Sequence, residues 1–130
     1  MRRGMLVLVC LTGLVGLPGW SVAQTCPLST PPYAAYDPYD YEPVTVSSTA
    51  IGLTAAKILP TATPPSMALV TVEANTISFT MTATTPTAAV GHQAIAGQTI
   101  TLCGRPAMAA FRAIRVTADA TLKVTYFKAR

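Results

Sequence analysis

Thr76-Ile77-Ser78-Phe79-Thr80-Met81-Thr82 is the stretch that decides the fold class. Ile77, Phe79 and Met81 alternate with Ser and Thr. A strict period of two places the apolar side chains on one face of a strand and the hydroxyls on the other. Working outward, Thr99-Ile100-Thr101-Leu102 repeats the pattern, and Thr121 to Tyr126 does so with Leu122, Val124 and Tyr126. Val44 to Val46 and Ala68 to Val72 are shorter versions, and Phe111 to Val116 is a less regular one. Glu73-Ala74-Asn75 reads as a tight turn, because Asn tolerates the left-handed backbone. Residues 60–66 and 84–93 are punctuated by Pro and Gly and read as loops. Ala107 to Ala110 has the composition of one helical turn.

Six or seven short strands with frequent turns and no sustained helical period predict an all-β fold, a small antiparallel β-sandwich of jelly-roll or immunoglobulin-like type. Ile77, Phe79, Ile100, Leu102, Ile114, Leu122 and Val124 form the expected core.

The 130 residues are 51% hydrophobic and only 11% charged, which excludes a disordered polyelectrolyte and leaves room for one domain. The formal charge of +4 includes Arg2 and Arg3. Without them, seven basic residues face five acidic ones, too weak a field to argue for nucleic acid. The exposed strand faces carry Thr, Ser and Ala rather than Lys and Glu, a weak barrier to edge-to-edge association. Other protein subunits are therefore the expected partners, in a homo-oligomer or a larger assembly.

Residues 1–23 have the order of a secretory signal peptide. Arg2 and Arg3 precede a 13-residue uncharged stretch from Met5 to Leu17, Pro18-Gly19 breaks it, and Ser21-Val22-Ala23 supplies small residues for cleavage. The apolar stretch is shorter than the roughly 20 residues of a membrane span, so an exported chain starting at Gln24 is expected, periplasmic, extracellular or on a virion surface. Export leaves Cys26 and Cys103, an even pair in an oxidising compartment, and predicts a disulfide between them. Such a bridge, closing a loop of 77 positions, is worth roughly 4–5 kcal/mol in the chain-entropy picture.

Residues 24–43 carry Pro27, Pro31, Pro32, Pro38 and Pro43, which remove ladder donors and favour extended geometry. This segment reads as an arm ahead of a domain at 44–130. Tyr33, Tyr36, Tyr39 and Tyr41 leave two readings open: an adhesive arm that docks on a neighbouring subunit, since Tyr pairs a large apolar ring with a polar tip, or a tail folded back over its own domain. Deleting residues 27–42 is expected to leave the domain folded.

Catalytic groups are sparse. His92 is the only His, no G-x-S-x-G elbow presents a Ser, and no paired Cys or His spacing marks a metal site. Arg105, Arg112, Arg115, Lys123, Lys128 and Arg130 make the C-terminal third basic, which reads as surface charge answering the acidic arm. The expectation is a non-enzymatic module without catalytic residues, cofactor or metal, a stable membrane span or nucleic-acid partner.

The order of Val44-Thr45-Val46, Thr49 to Thr54, Ala68 to Glu73, Ile77-Ser78-Phe79, Thr85-Pro86-Thr87 with Gly91-His92, Ile100-Thr101-Leu102, Phe111 to Arg115 and Ala120 to Tyr126 resembles a group of small proteins encoded in tailed-phage and prophage genomes among virion structural genes. The resemblance implies a compact β-sandwich acting as a virion-associated component, such as a capsid decoration or a tail or fibre accessory, without catalysis. The leader and Ala83-Thr84, where the look-alikes often carry Asp-Gly, depart from that pattern. Ile77 to Thr80 with Thr85 to Thr87 is also similar to accessory β-sandwich domains of secreted glycoside hydrolases, which implies an exported carbohydrate-binding-like module as the alternative.

Overall fold

The computed structural model describes residues 36–59, 64–82 and 84–130. The expected leader at residues 1–23, Cys26 and Tyr33 lie outside the described residues. The described residues are all-β in character and form nine elements. These are β1 (Tyr36–Val46), α1 (Ala55–Ile58), β2 (Met67–Ala74), β3 (Ile77–Thr80), β4 (His92–Ala94), β5 (Thr99–Cys103), α2 (Gly104–Ala110), β6 (Arg112–Arg115) and β7 (Ala120–Ala129). A four-stranded sheet runs in the order β1-β7-β2-β5, and a three-stranded sheet runs β4-β3-β6. Every pairing is antiparallel.

Register explains which residues are inside. Val44 pairs with Leu122 and Leu122 with Val72; Tyr126 pairs with Ala68 and Ala68 with Leu102. These rows share one face because side chains two apart along a strand point the same way. The second sheet adds Ile77, Phe79, Ala94 and Ala113, and Met108 and Phe111 come from α2 and its end; all belong to one buried cluster. The ring centroids of Phe79 and Phe111 lie 5.9 Å apart, a separation typical of packed aromatics. Of the expected core, Ile77, Phe79, Leu102, Leu122 and Val124 are buried, and Ile100 packs against the cluster from the edge.

Ile114 departs from expectation. It pairs with Ser78 while Ala113 pairs with Phe79, so Ala113 faces the core and Ile114, half-buried, lies on the other face. The alternation expected through Met81 also stops early: β3 ends at Thr80 and Met81 is exposed. All four β3 residues are buried because the following loop covers their polar face. Ser78 Oγ donates to the Val90 carbonyl at 3.1 Å and Thr80 Oγ1 to that of Thr84 at 2.6 Å. Gly91 permits this approach. Its φ is +136°, and a Cβ there would sit 2.6 Å from Ser78 Oγ and 2.9 Å from the Phe79 carbonyl oxygen.

The arm expected to end at residue 43 is corrected by β1, which starts at Tyr36. Proline argues against a central strand, but β1 is an edge, where only one side of the backbone must supply ladder hydrogen bonds. Pro38 and Pro43 both take part in its register with β7, which shifts between Pro38 and Asp40. The shift accommodates Tyr39 as a bulge. Deleting residues 27–42 would therefore remove most of a core-bearing strand, contrary to the expectation of a dispensable arm. Asn75 is left-handed, φ 61°, and turns β2 into β3 as its sequence context predicts.

Candidate interaction site

The described part of the tyrosine segment is built on β1. Glu42, Val44 and Val46 are buried along it, while Tyr41, Pro43 and Thr45 are exposed. That alternation puts Tyr41 on the solvent face of the four-stranded sheet. Tyr39, at the bulge, is 40% exposed and Tyr41 is 47% exposed. Each ring has a cation beside it from the neighbouring strand. Lys123 Nζ lies 5.9 Å from the Tyr41 ring centroid, and Lys128 Nζ lies 5.9 Å from that of Tyr39. These are within cation–π reach. Contact with Tyr41, and secondarily the Glu73 carboxylate 3.7 Å away, holds the Lys123 pKa above its ordinary value. Tyr36 is half-buried. The structure thus exposes Tyr39 and Tyr41 on β1, each beside a different lysine of β7, and leaves Tyr36 half-buried.

The opposite face of the same strand is polar where β1 meets α1. Glu42 is buried, and its Oε1 accepts from the Tyr126 hydroxyl at 2.5 Å and from the Thr54 N–H at 3.1 Å. Lys57 Nζ donates to Asp40 Oδ2 at 2.6 Å and to the Tyr41 carbonyl at 3.0 Å. That bond to Lys57, aided by the Tyr41 N–H on Oδ1, pulls the Asp40 pKa below its ordinary value. Burial pushes the Tyr126 phenol far above its ordinary range, and the Glu42 carboxylate adds to the shift. A buried carboxylate must find donors, and these bonds clamp α1 over β1. The clamp fixes the strand whose other side displays Tyr41. Arg130 Nε, 2.8 Å from Asp37 Oδ1, ties down its start.

Sequence reasoning missed this clamp. Extending the alternation of Val46 and Val44 back two residues would have placed Glu42 inside, and Tyr126 shares the face of Leu122 and Val124. The prolines hid the first signal.

The basic C-terminal residues are dispersed rather than gathered into a track. Arg112 donates to the Ala109 and Phe111 carbonyls, and Arg115 pairs with Asp119 at 2.6 Å. His92 is exposed on β4 with its ring centroid 5.6 Å from that of Phe79. A cleft beside α2 is lined by Leu59, Pro64, Pro65, Ser66, Arg105, Pro106 and Ala109, which include neither a carboxylate nor an imidazole. Among the described residues no cluster of three His, Cys, Asp or Glu could hold a metal ion, and no helix is long and apolar enough to cross a membrane. Cys103 ends β5; Cys26, its expected disulfide partner, lies outside the described residues. Comparison with known proteins finds no matching family model, no matching curated relative and no matching solved structure.

Proposed function

We propose that the chain is a non-enzymatic structural or interaction module, a β-sandwich that presents Tyr39 and Tyr41 to other protein subunits. One observation carries the reading: two exposed tyrosines sit on a strand that Glu42, Asp40 and Lys57 tie to the α1 segment. Aromatic anchors on a rigid element suit protein contact because little side-chain freedom is lost on docking. The order of strands and turns that resembles small tailed-phage proteins supports a virion-associated role, as a capsid decoration or a tail or fibre accessory. In this account the chain is exported, cleaved behind Ala23 and stapled by Cys26–Cys103. Mass spectrometry of exported material should find Gln24 at the amino terminus, and a non-reducing peptide map should join the two cysteines. An intact Met1 start or two free thiols would contradict the corresponding step.

The same two exposed tyrosines favour a second reading, a carbohydrate-binding-like accessory domain, since exposed aromatic rings can also stack on sugar rings. The double variant Tyr39→Ser/Tyr41→Ser separates the two. Protein docking predicts weakened higher-order association with unchanged behaviour on a polysaccharide column. Glycan binding predicts unchanged mass and lost retention.

A further inference from the structure

We infer that two copies of this chain join through β5, edge to edge and antiparallel about a two-fold axis at Ile100, making one continuous eight-stranded sheet. The inference rests on the proposed assembly role and names the first contact within it.

Among the described residues the two sheets have four edges, and three are guarded. The β1 edge contains Pro38, Pro43 and the bulge at Tyr39, and Lys57 caps the Tyr41 carbonyl. The β6 edge is already bonded: Ala113 exchanges two main-chain hydrogen bonds of 2.8 Å with Ile51, and the Arg115 N–H donates to the Ser47 carbonyl at 3.0 Å. Self-pairing centred there would also set Arg112 of each copy against Arg115 of the other. The β4 edge is three residues long.

The β5 edge differs in each respect. In the register of β5 with β2, Ile100 opposes Val70 and Leu102 opposes Ala68. The flanking bonds, Val72 N–H to the Gln98 carbonyl at 2.9 Å and Gly104 N–H to the Ser66 carbonyl at 2.8 Å, show that even-numbered residues of this segment bond inward. Antiparallel ladders alternate by residue, so the main-chain groups of Thr99 and Thr101 point off the sheet. Residues 98–102 carry no charge and no proline, and a strand with neither device is open to pairing. Identical uncharged edges meet without repulsion. Ile100, half-buried at the rim of the core cluster, would meet its own copy and complete its burial. Thr99 of each copy would exchange main-chain bonds with Thr101 of the other. The β1 edges, with their tyrosines, would lie at the two far ends.

The test is light scattering of the purified chain over a concentration series, with amide hydrogen exchange at Thr99 and Thr101. The wild type should reach twice the single-chain mass, and those two amides should become protected as it does. Thr101→Pro removes an N–H that the β2–β5 ladder does not use, so it should hold the chain at single mass with folded-state circular dichroism retained. Thr101→Lys, which keeps the backbone and adds charge repulsion, should do the same, and Thr101→Ser should restore the dimer. Tyr39→Ser/Tyr41→Ser should leave the dimer intact. Association that survives both Thr101→Pro and Thr101→Lys, with Thr99 and Thr101 amides exchanging freely, overturns the edge contact and leaves the assembly role standing. A single-chain mass for the wild type at every concentration overturns both.

Discussion

The Tyr126 hydroxyl, on β7, donates a 2.5 Å hydrogen bond to Glu42 Oε1, on β1, across 84 positions of sequence. It joins the edge strand to its neighbour inside the sheet's buried face. Tyr126→Phe keeps the ring and removes the donor, leaving a buried carboxylate with one fewer partner. The expected loss is about 1–3 kcal/mol in chemical denaturation. An unchanged midpoint would mean that the bond contributes nothing net.

The same pair sets an alkaline limit. The folded-state pKa of Tyr126 is raised above its ordinary value of 10.0, first by burial and then by Glu42. A raised pKa contributes stability that is fully present below pH 10 and is lost as the pH climbs, because the unfolded phenol can release its proton and the folded one cannot. The expected slope above pH 10 is about 1.4 kcal/mol per pH unit. Denaturation curves from pH 9 to 11.5 should show it, and Tyr126→Phe should flatten it by that one proton.

Core register makes a paired prediction. Phe79 is buried against Phe111, so Phe79→Ala should cost about 3–5 kcal/mol. Ile114 lies outside the core cluster and Ile114→Ala should cost distinctly less. Equal losses in thermal melts would show that β6 is out of register.

How much of this was legible in the sequence depended on what each residue had to compete with. The alternation in β5 and β7 is plain because one face of each meets the core and the other carries Thr and Lys. The alternation in β3 overran to Met81 because the strand ends at Thr80, and Ser78 and Thr80 look solvent-facing as hydroxyls although a loop covers them and its carbonyls accept their bonds. No local pattern announces a loop folding back over a strand. β1 was hidden by Pro38 and Pro43, whose edge placement is a tertiary fact. The exposed tyrosines were visible as residues, but not the clamp that stiffens them, since Thr54, Lys57 and Tyr126 come from distant segments.

Gly91 reports on that loop. Alanine there meets both an unfavourable φ of +136° and contact with Ser78 Oγ and the Phe79 carbonyl. Gly91→Ala should destabilise the fold by more than about 1 kcal/mol and speed amide exchange at Val90 and Thr87, which bond one another across the turn. A variant with wild-type stability and exchange would place the loop elsewhere.

The role proposed for this chain is association with other protein subunits. Its most direct test is the molar mass of the purified chain by light scattering, at concentrations approaching those of an assembled particle. A mass that rises with concentration above that of a single chain is the predicted result. A single-chain mass throughout would contradict it.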